Sequence, residues 1–230
     1  MLQLRLFRSP TLTVSVTSGF LAFVCLSATF FLLPFYLEGV LGFEVGTVGL
    51  LLGVAPLIMG VVSPLAGNLS DRLGIRKITM VGISLIALSY YGFYTFDVDT
   101  TVGHYLLIAI PLGLGLGSFN SPNNSAIMGS VPPEYTGLGG GLLTMTRLLG
   151  QISGIAILGS LWAAAVAAAS GGDLPEAGAS AADPAAQVAG LHTTFIVAAV
   201  IMTAALVISA WGMRREHLDT RRPSTVTAEA

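Results

Sequence analysis

The sequence predicts an all-α membrane protein with six transmembrane helices, and three observations support this fold class. Of its 230 residues, 53% are hydrophobic and only 10% are charged, whereas about a quarter of the residues in a soluble domain are charged. Six apolar stretches reach the roughly 20 residues that a helix needs to cross a bilayer. Nine of the ten Lys and Arg residues lie at the two ends of the chain or in the connection between the second and third stretches. An ordinary soluble enzyme is excluded, and a net charge of −2 leaves no basic surface for nucleic acid.

The first apolar run, from Thr11 to Leu37, is too long to be the core of a cleaved signal peptide. It follows a cytoplasmic N-terminus, residues 1–10, and opens a membrane domain that covers residues 11–213. The segment 167–190 is rich in Ala, Gly and Ser, which is typical of a flexible loop. The polar residues 214–230 predict a disordered cytoplasmic tail. The six spans are expected at about 12–37, 46–67, 76–96, 104–130, 138–166 and 191–213.

The cations give the orientation. With six spans, nine of the ten Lys and Arg residues fall on one side of the membrane, and the tenth, Arg147, lies within span 5. Because cytoplasmic loops are rich in Lys and Arg, both termini are predicted to be cytoplasmic. One lysine against nine arginines indicates a GC-rich bacterial genome, so we expect a bacterial plasma membrane. The nine cations are Arg5, Arg8, Arg72, Arg76, Lys77, Arg214, Arg215, Arg221 and Arg222.

The connection between spans 2 and 3 reads GNLSDRLGIRK from residue 67 to residue 77 and is predicted to be a tight turn. The positive-inside rule accounts for its cations, and Gly74 accounts for the turn. Neither explains the carboxylate of Asp71 beside Arg72, nor the glycine four residues before it. A carboxylate at this place can accept hydrogen bonds from the N-terminus of a neighbouring helix and pair with an arginine, which would make a latch between helices.

This connection resembles the loop 2–3 signature of the major facilitator superfamily, G-x-x-x-D-R/K-x-G-R/K-R/K. Ile75 stands where a cation is usual, so the two cations follow one position late. The resemblance implies that the motif stabilises one state of an alternating-access cycle in a transporter built from two six-helix halves. The candidate latch residues are Gly67, Asp71, Arg72, Gly74, Arg76 and Lys77.

The chain looks like a second half, because span 4 lacks the arginine and span 5 lacks the G-x-x-x-G-P sequence of first halves. The segments 113–129, 131–134 and 146–159 resemble the C-terminal part of the EmrB/QacA group of drug:proton antiporters. The resemblance implies efflux of hydrophobic or cationic drugs, coupled to protons, once a first-half bundle or a second copy of the chain completes the transporter. The partners expected are thus the lipid bilayer, a small-molecule substrate and a second bundle. The alternative is a truncated fragment or packing subunit that transports nothing.

A polar patch is expected inside the membrane. Arg147 is the only ionisable residue within a span, and such residues are functional-site candidates by default. Gln151 follows one turn later, and Asn120, Asn123 and Asn124 lie at comparable depth in span 4. A short loop joins spans 4 and 5, so we expect them to be antiparallel neighbours whose polar groups meet. Two interpretations stay open: the patch lines a cavity or gate, or Arg147 snorkels or bonds carbonyl groups within the bundle.

No Asp or Glu falls within a span, so the resemblance places the proton-coupling group in the first half. The nearest match to the GxSG of an intramembrane protease begins at Gln151 and lacks the first glycine, so no enzyme is expected. A single cysteine and the absence of cofactor motifs predict no metal and no cofactor. Three GxxxG pairs, at 49/53, 113/117 and 150/154, predict helix packing. Aromatic residues near the span ends, among them Tyr36, Tyr90 and Tyr105, are interpreted as anchors at the membrane interface.

Overall fold

The computed structural model describes residues 9–172, 175 and 178–219, with side chains up to Gly212. This part of the chain is all helical apart from its connections. It contains six long helices, which are α1 Pro10–Phe35, α2 Val45–Leu73, α3 Ile75–Phe93, α4 Val102–Gly129, α5 Thr136–Ala169 and α6 Pro184–Asp219. A π-helical turn, Tyr36–Val40, extends α1, and short 3-10 turns lie at Pro133–Tyr135 and Ala179–Ala181.

Five helical segments of the described chain are long and apolar enough to cross a membrane: Pro10–Val40, Val45–Leu73, Val102–Gly129, Pro133–Ala169 and Pro184–Gly212. The chain is therefore a multi-pass membrane protein. The segment predicted as span 3 is helical, but it does not reach this hydropathy. Its 19 residues include Arg76 and Lys77 in the first turn, as well as serines and tyrosines, and these lower the mean hydropathy.

Polar caps set the helix starts. The hydroxyl of Ser9 accepts a hydrogen bond from the backbone N–H of Leu12 at 3.4 Å, and Pro10 occupies the first helical position, where its missing N–H costs nothing. Asp183 caps α6 in the same way, accepting from the N–H of Ala185 at 2.9 Å. For this reason α6 begins at Pro184 rather than at residue 191, inside the segment expected to be loop. At the other end its backbone stays helical to Asp219, beyond the expected boundary at 213. The described part leaves out residues 1–8, 173–174, 176–177 and 220–230. The predictions for the N-terminus, the end of the C-terminal tail and the centre of that loop therefore lie outside the described residues.

The helices pack with α4 between α2 and α3, and with α1 against α5, α6 and α4. Glycines allow the closest approaches. A Cβ at Gly113 would stand 2.8 Å from the carbonyl oxygen of Ala55 in α2, and one at Gly150 would stand 2.9 Å from that of Phe20 in α1. The packing predicted for the pairs 113/117 and 150/154 is therefore confirmed. For the pair 49/53 it is wrong within this bundle, because no described atom lies within 4 Å of a Cβ at either position.

Aromatic rings fill one end of the core. Tyr36 stacks on Phe96 with ring centroids 5.3 Å apart, and Phe93 stacks on Phe195 at 4.8 Å. The sequence interpretation was wrong for Tyr36, Tyr90, Phe96 and Tyr105, which are buried core residues rather than interface anchors. Hydropathy alone cannot separate these two roles, because both place an aromatic residue near the end of a span.

Candidate functional site

The latch motif forms the junction of α2 and α3. The sequence predicted a turn across residues 67–77, but residues 67–73 complete α2 and only Gly74 interrupts the helices. Gly74 has φ +98°, a conformation that side chains strongly disfavour, and its N–H bonds the carbonyl oxygen of Ser70 at 2.9 Å. The correction has a simple cause, since nothing between Gly67 and Leu73 breaks a helix.

Gly67 has a packing role in this junction. A Cβ at this position would stand 3.0 Å from the hydroxyl oxygen of Ser121 in α4, closer than ordinary contact. The glycine that opens the motif thus lets the last turns of α2 lie close against α4. That contact fixes the direction in which the charged end of α2 points.

The charged residues of the motif differ in their surroundings. Asp71, Arg72 and Lys77 are exposed, and Arg76 is half-buried. Arg76 reaches α6, where its Nη1 stands 3.4 Å from the position a Cβ at Gly212 would occupy. Within the described residues the carboxylate of Asp71 has no hydrogen bond or ion pair, so its acceptor oxygens are available to a group from outside this bundle.

Arg147 lies on an exposed face of α5. Its guanidinium carbon stands 5.3 Å from the centre of the Phe23 ring in α1, a cation–π contact. The structure therefore joins Arg147 to α1 and not to the asparagines of α4. The expectation that spans 4 and 5 are direct neighbours is wrong for most of their length, because α5 packs chiefly along α1 and α6 and makes few contacts with α4.

The three asparagines point in different directions. The side-chain amide of Asn120 contacts the sulfur of Met59 in α2 at 3.6 Å. Asn123 is buried, and its amide nitrogen stands 3.2 Å from the position of a Cβ at Gly19, beside the side chain of Thr146. Asn124 and Gln151 are half-buried. The predicted patch is therefore not a single cluster, because Asn120 faces α2, whereas Asn123 and Arg147 lie against Gly19 and Phe23 of α1.

The meeting of Gly19, Asn123 and Thr146 was missed by the sequence reasoning. Here α1, α4 and α5 converge around an amide whose oxygen is buried without a hydrogen-bond partner in the described structure. The signal available in the sequence was Gly19 itself, which follows several Ser and Thr residues in span 1 and leaves room for a polar side chain to approach. The helix order needed to use that signal was not available from periodicity.

Two histidines hold the connection between α3 and α4. The Nε2 of His192 donates to the carbonyl oxygen of Phe96 at 2.6 Å, and the Nε2 of His104 lies 2.9 Å from the hydroxyl of Thr95. The hydroxyl of Tyr36 donates to the carbonyl oxygen of Asp97 at 2.6 Å. These contacts tie α1, α4 and α6 to a single connection, which is a structural role.

Comparison with known proteins places these features in a family. Residues 2–155 match the family model described as Major Facilitator Superfamily. The chain is 33% identical over 162 residues to the riboflavin transporter RibZ of Clostridioides difficile, a match that covers 70% of this chain and 36% of the relative.

Two further relatives are named for resistance to a compound. The chain is 30% identical over 167 residues to a tetracenomycin C resistance and export protein of Streptomyces glaucescens, covering 72% of this chain and 31% of that protein. It is 30% identical over 161 residues to the methyl viologen resistance protein SmvA of Salmonella typhimurium, covering 70% and 32%. The matches span about a third of the length of these curated relatives. The family match extends over more than half of the chain and includes both the α2–α3 junction and Arg147, and the chain belongs to the major facilitator superfamily.

Proposed function

We propose that the chain is the second six-helix half of an efflux transporter, which exports hydrophobic or cationic compounds in exchange for protons when a second bundle completes it. The observation that carries this proposal is the family match over residues 2–155, set beside relatives that are about three times longer than the matched segment. Relatives named for drug resistance and export favour efflux over uptake.

The surface of α2 supports completion by another bundle. Large apolar side chains project from it, including Leu50 at 78% exposure and Leu57 at 72%. The same stretch of α2 contains Gly46, Gly49 and Gly53, where an added Cβ would meet no described atom within 4 Å. A glycine that faces lipid makes no packing contact with a side chain of its own, whereas a glycine that faces a partner helix lets the two backbones approach closely. A second bundle would therefore bury this face.

The same structure supports six crossings with both termini cytoplasmic. α3 has 19 residues, which span about 28 Å at 1.5 Å per residue, close to the roughly 30 Å of a bilayer core. It packs along α4 and also contacts α6, and both of those helices are long and apolar enough to cross a membrane. With α3 as a crossing, the cations of the α2–α3 junction lie on the same side as the two termini, in the plasma membrane of a bacterium.

Proton coupling is assigned to the completing bundle. Among the described side chains, Asp and Glu residues lie at helix ends, in the π-helical turn or in connections, so this half offers no carboxylate at mid-membrane. Transport of protons through a bilayer requires groups that protonate along the path. The half described here would contribute the α2–α3 latch and the helices that pack against its partner.

Efflux of a lipophilic cationic dye from proteoliposomes tests the proposal. We expect gradient-driven efflux when the chain is reconstituted with the bundle that co-purifies with it, and none from empty liposomes or after the proton gradient is collapsed. Asp71→Asn should slow efflux without changing the amount of inserted protein. Dye release that is the same with and without the proton gradient in the reconstituted complex would refute the proposed proton coupling.

A further inference from the structure

Arg147 stands apart from the other charged residues of the described helices. Among charged residues whose side chains are described, the others in helices lie in first or last turns or in the π-helical turn, whereas Arg147 follows the first residue of α5, Thr136, by eleven positions. That separation is about 16 Å along the helix. Its guanidinium is held over Phe23, which is near the middle of α1, about 20 Å from the start of that helix at Pro10. The charge therefore lies about 16 Å from the start of α5 and beside the middle of α1.

The face that carries Arg147 is open. Gly140, Thr144 and Gln151 share its side of the helix at spacings of seven, three and four residues. Thr144 is exposed, and a Cβ at Gly140 would meet no described atom within 4 Å. Within the described residues Arg147 has no ion pair or hydrogen bond. The cation–π contact with the ring of Phe23 is the one electrostatic interaction of its guanidinium there.

An exposed guanidinium at this depth requires a partner. Hydrocarbon cannot solvate it, and charged groups inside membranes pair with one another or face water. Arginine presents a planar fork of donors that matches a carboxylate, with two parallel hydrogen bonds. The described mid-span side chains of this chain offer no carboxylate, so neither this bundle nor the same face of a second copy supplies the counter-charge.

We propose that the face of α5 formed by Gly140, Thr144, Arg147 and Gln151 binds a membrane-embedded Asp or Glu on the completing bundle. The inference rests on the proposed function, in which a second bundle covers the open faces. Phe23 orients the guanidinium, and Gly140 gives the partner helix room to approach. The pair would fix the register of the two halves.

Photo-crosslinking in the membranes of the native host tests this pairing. A benzophenone amino acid replaces Thr144 in the full chain, and a matched probe replaces Gly53 on the open face of α2. We expect the Thr144 probe to cross-link a membrane peptide that lies outside these 230 residues, with an Asp or Glu within one helical turn of the attachment site. Arg147→Gln should lower this yield about tenfold, and Arg147→Lys should retain at least about half of it, since a tenfold loss corresponds to about 1.4 kcal/mol.

Charge exchange separates pairing from simple proximity. Arg147→Glu should abolish the cross-link, and changing the partner's carboxylate to Lys should restore it. Cross-links to lipid alone, to this chain itself or to a helix without a carboxylate would overturn the inference, as would failure of the exchange to restore the yield. If the Gly53 probe captures a partner and the Thr144 probe does not, the proposed function survives and the pairing fails. If neither probe captures a protein, both fail.

Discussion

The crossing of α3 and α4 gives the sharpest prediction about stability. In Gly82→Ala the new Cβ would stand 2.6 Å from the backbone nitrogen of Phe119 and 2.8 Å from the carbonyl oxygen of Gly115. These are backbone atoms of a facing helix, so no side chain can turn away. Because carbon atoms settle at about 3.5–4.0 Å from their neighbours, the two helices must separate by about 1 Å.

The magnitude follows from two opposing effects. Overpacking a well-filled site costs about 1–3 kcal/mol, and contact with backbone atoms that cannot turn away takes the upper part of that range, about 2–3 kcal/mol. Replacing Gly by Ala within a helix returns about 1 kcal/mol. The net loss is roughly 1–2 kcal/mol, which for a chain of this size lowers the melting temperature by roughly 2–8 °C. Thermal unfolding of the purified chain in detergent, followed by size-exclusion chromatography of a fluorescent fusion, measures it.

Gly49→Ala is the matched control, because it makes the same chemical change on α2 where no described atom lies within 4 Å. It should leave the melting temperature unchanged or raise it slightly. Equal stability of Gly82→Ala and wild type would refute the packing argument. A loss of stability in Gly49→Ala as large as in Gly82→Ala would refute the assignment of an open face to α2.

Further predictions concern charge and topology. Asp71→Asn should slow transport by the completed transporter about tenfold, because losing one hydrogen bond to a charged group costs about 1.4 kcal/mol. The melting temperature should not change, since the carboxylate is exposed. Unaltered transport would rule out the latch role. Arg147→Ala should impair transport more than Arg215→Ala, which removes a cation near the C-terminal end of α6. Equal effects would show that Arg147 has a structural role. A reporter enzyme fused after Gly172 should be active only outside the cytoplasm, and activity inside would overturn the proposed orientation.

The sequence anticipated the helices because their signals are local. Long apolar runs are themselves the requirement for crossing a membrane, and small residues four apart marked two of the three packing faces. Helix ends were harder to predict from the sequence, because each depends on a single capping residue. Asp183 before Pro184 starts α6 inside an Ala-rich segment that looks like a loop by composition.

Helix order was not accessible from periodicity. A short connection between spans 4 and 5 suggested direct contact, but α5 packs chiefly against α1, so Arg147 contacts Phe23. Of the asparagines of α4, Asn123 lies beside α1 and α5, whereas Asn120 contacts α2. The same limit applies to the glycines of α2. A GxxxG pair predicts that something packs closely, but it does not say whether the partner lies in the same bundle or in another.

The central claim is that this bundle is one half of a larger transporter, and the composition of the complex in its own membrane tests it most directly. Polymer extraction into native nanodiscs, followed by native mass spectrometry, weighs the assembly without detergent. We expect a species whose mass includes one copy of this bundle and one further membrane bundle. A population made only of the single chain with bound lipid would contradict it.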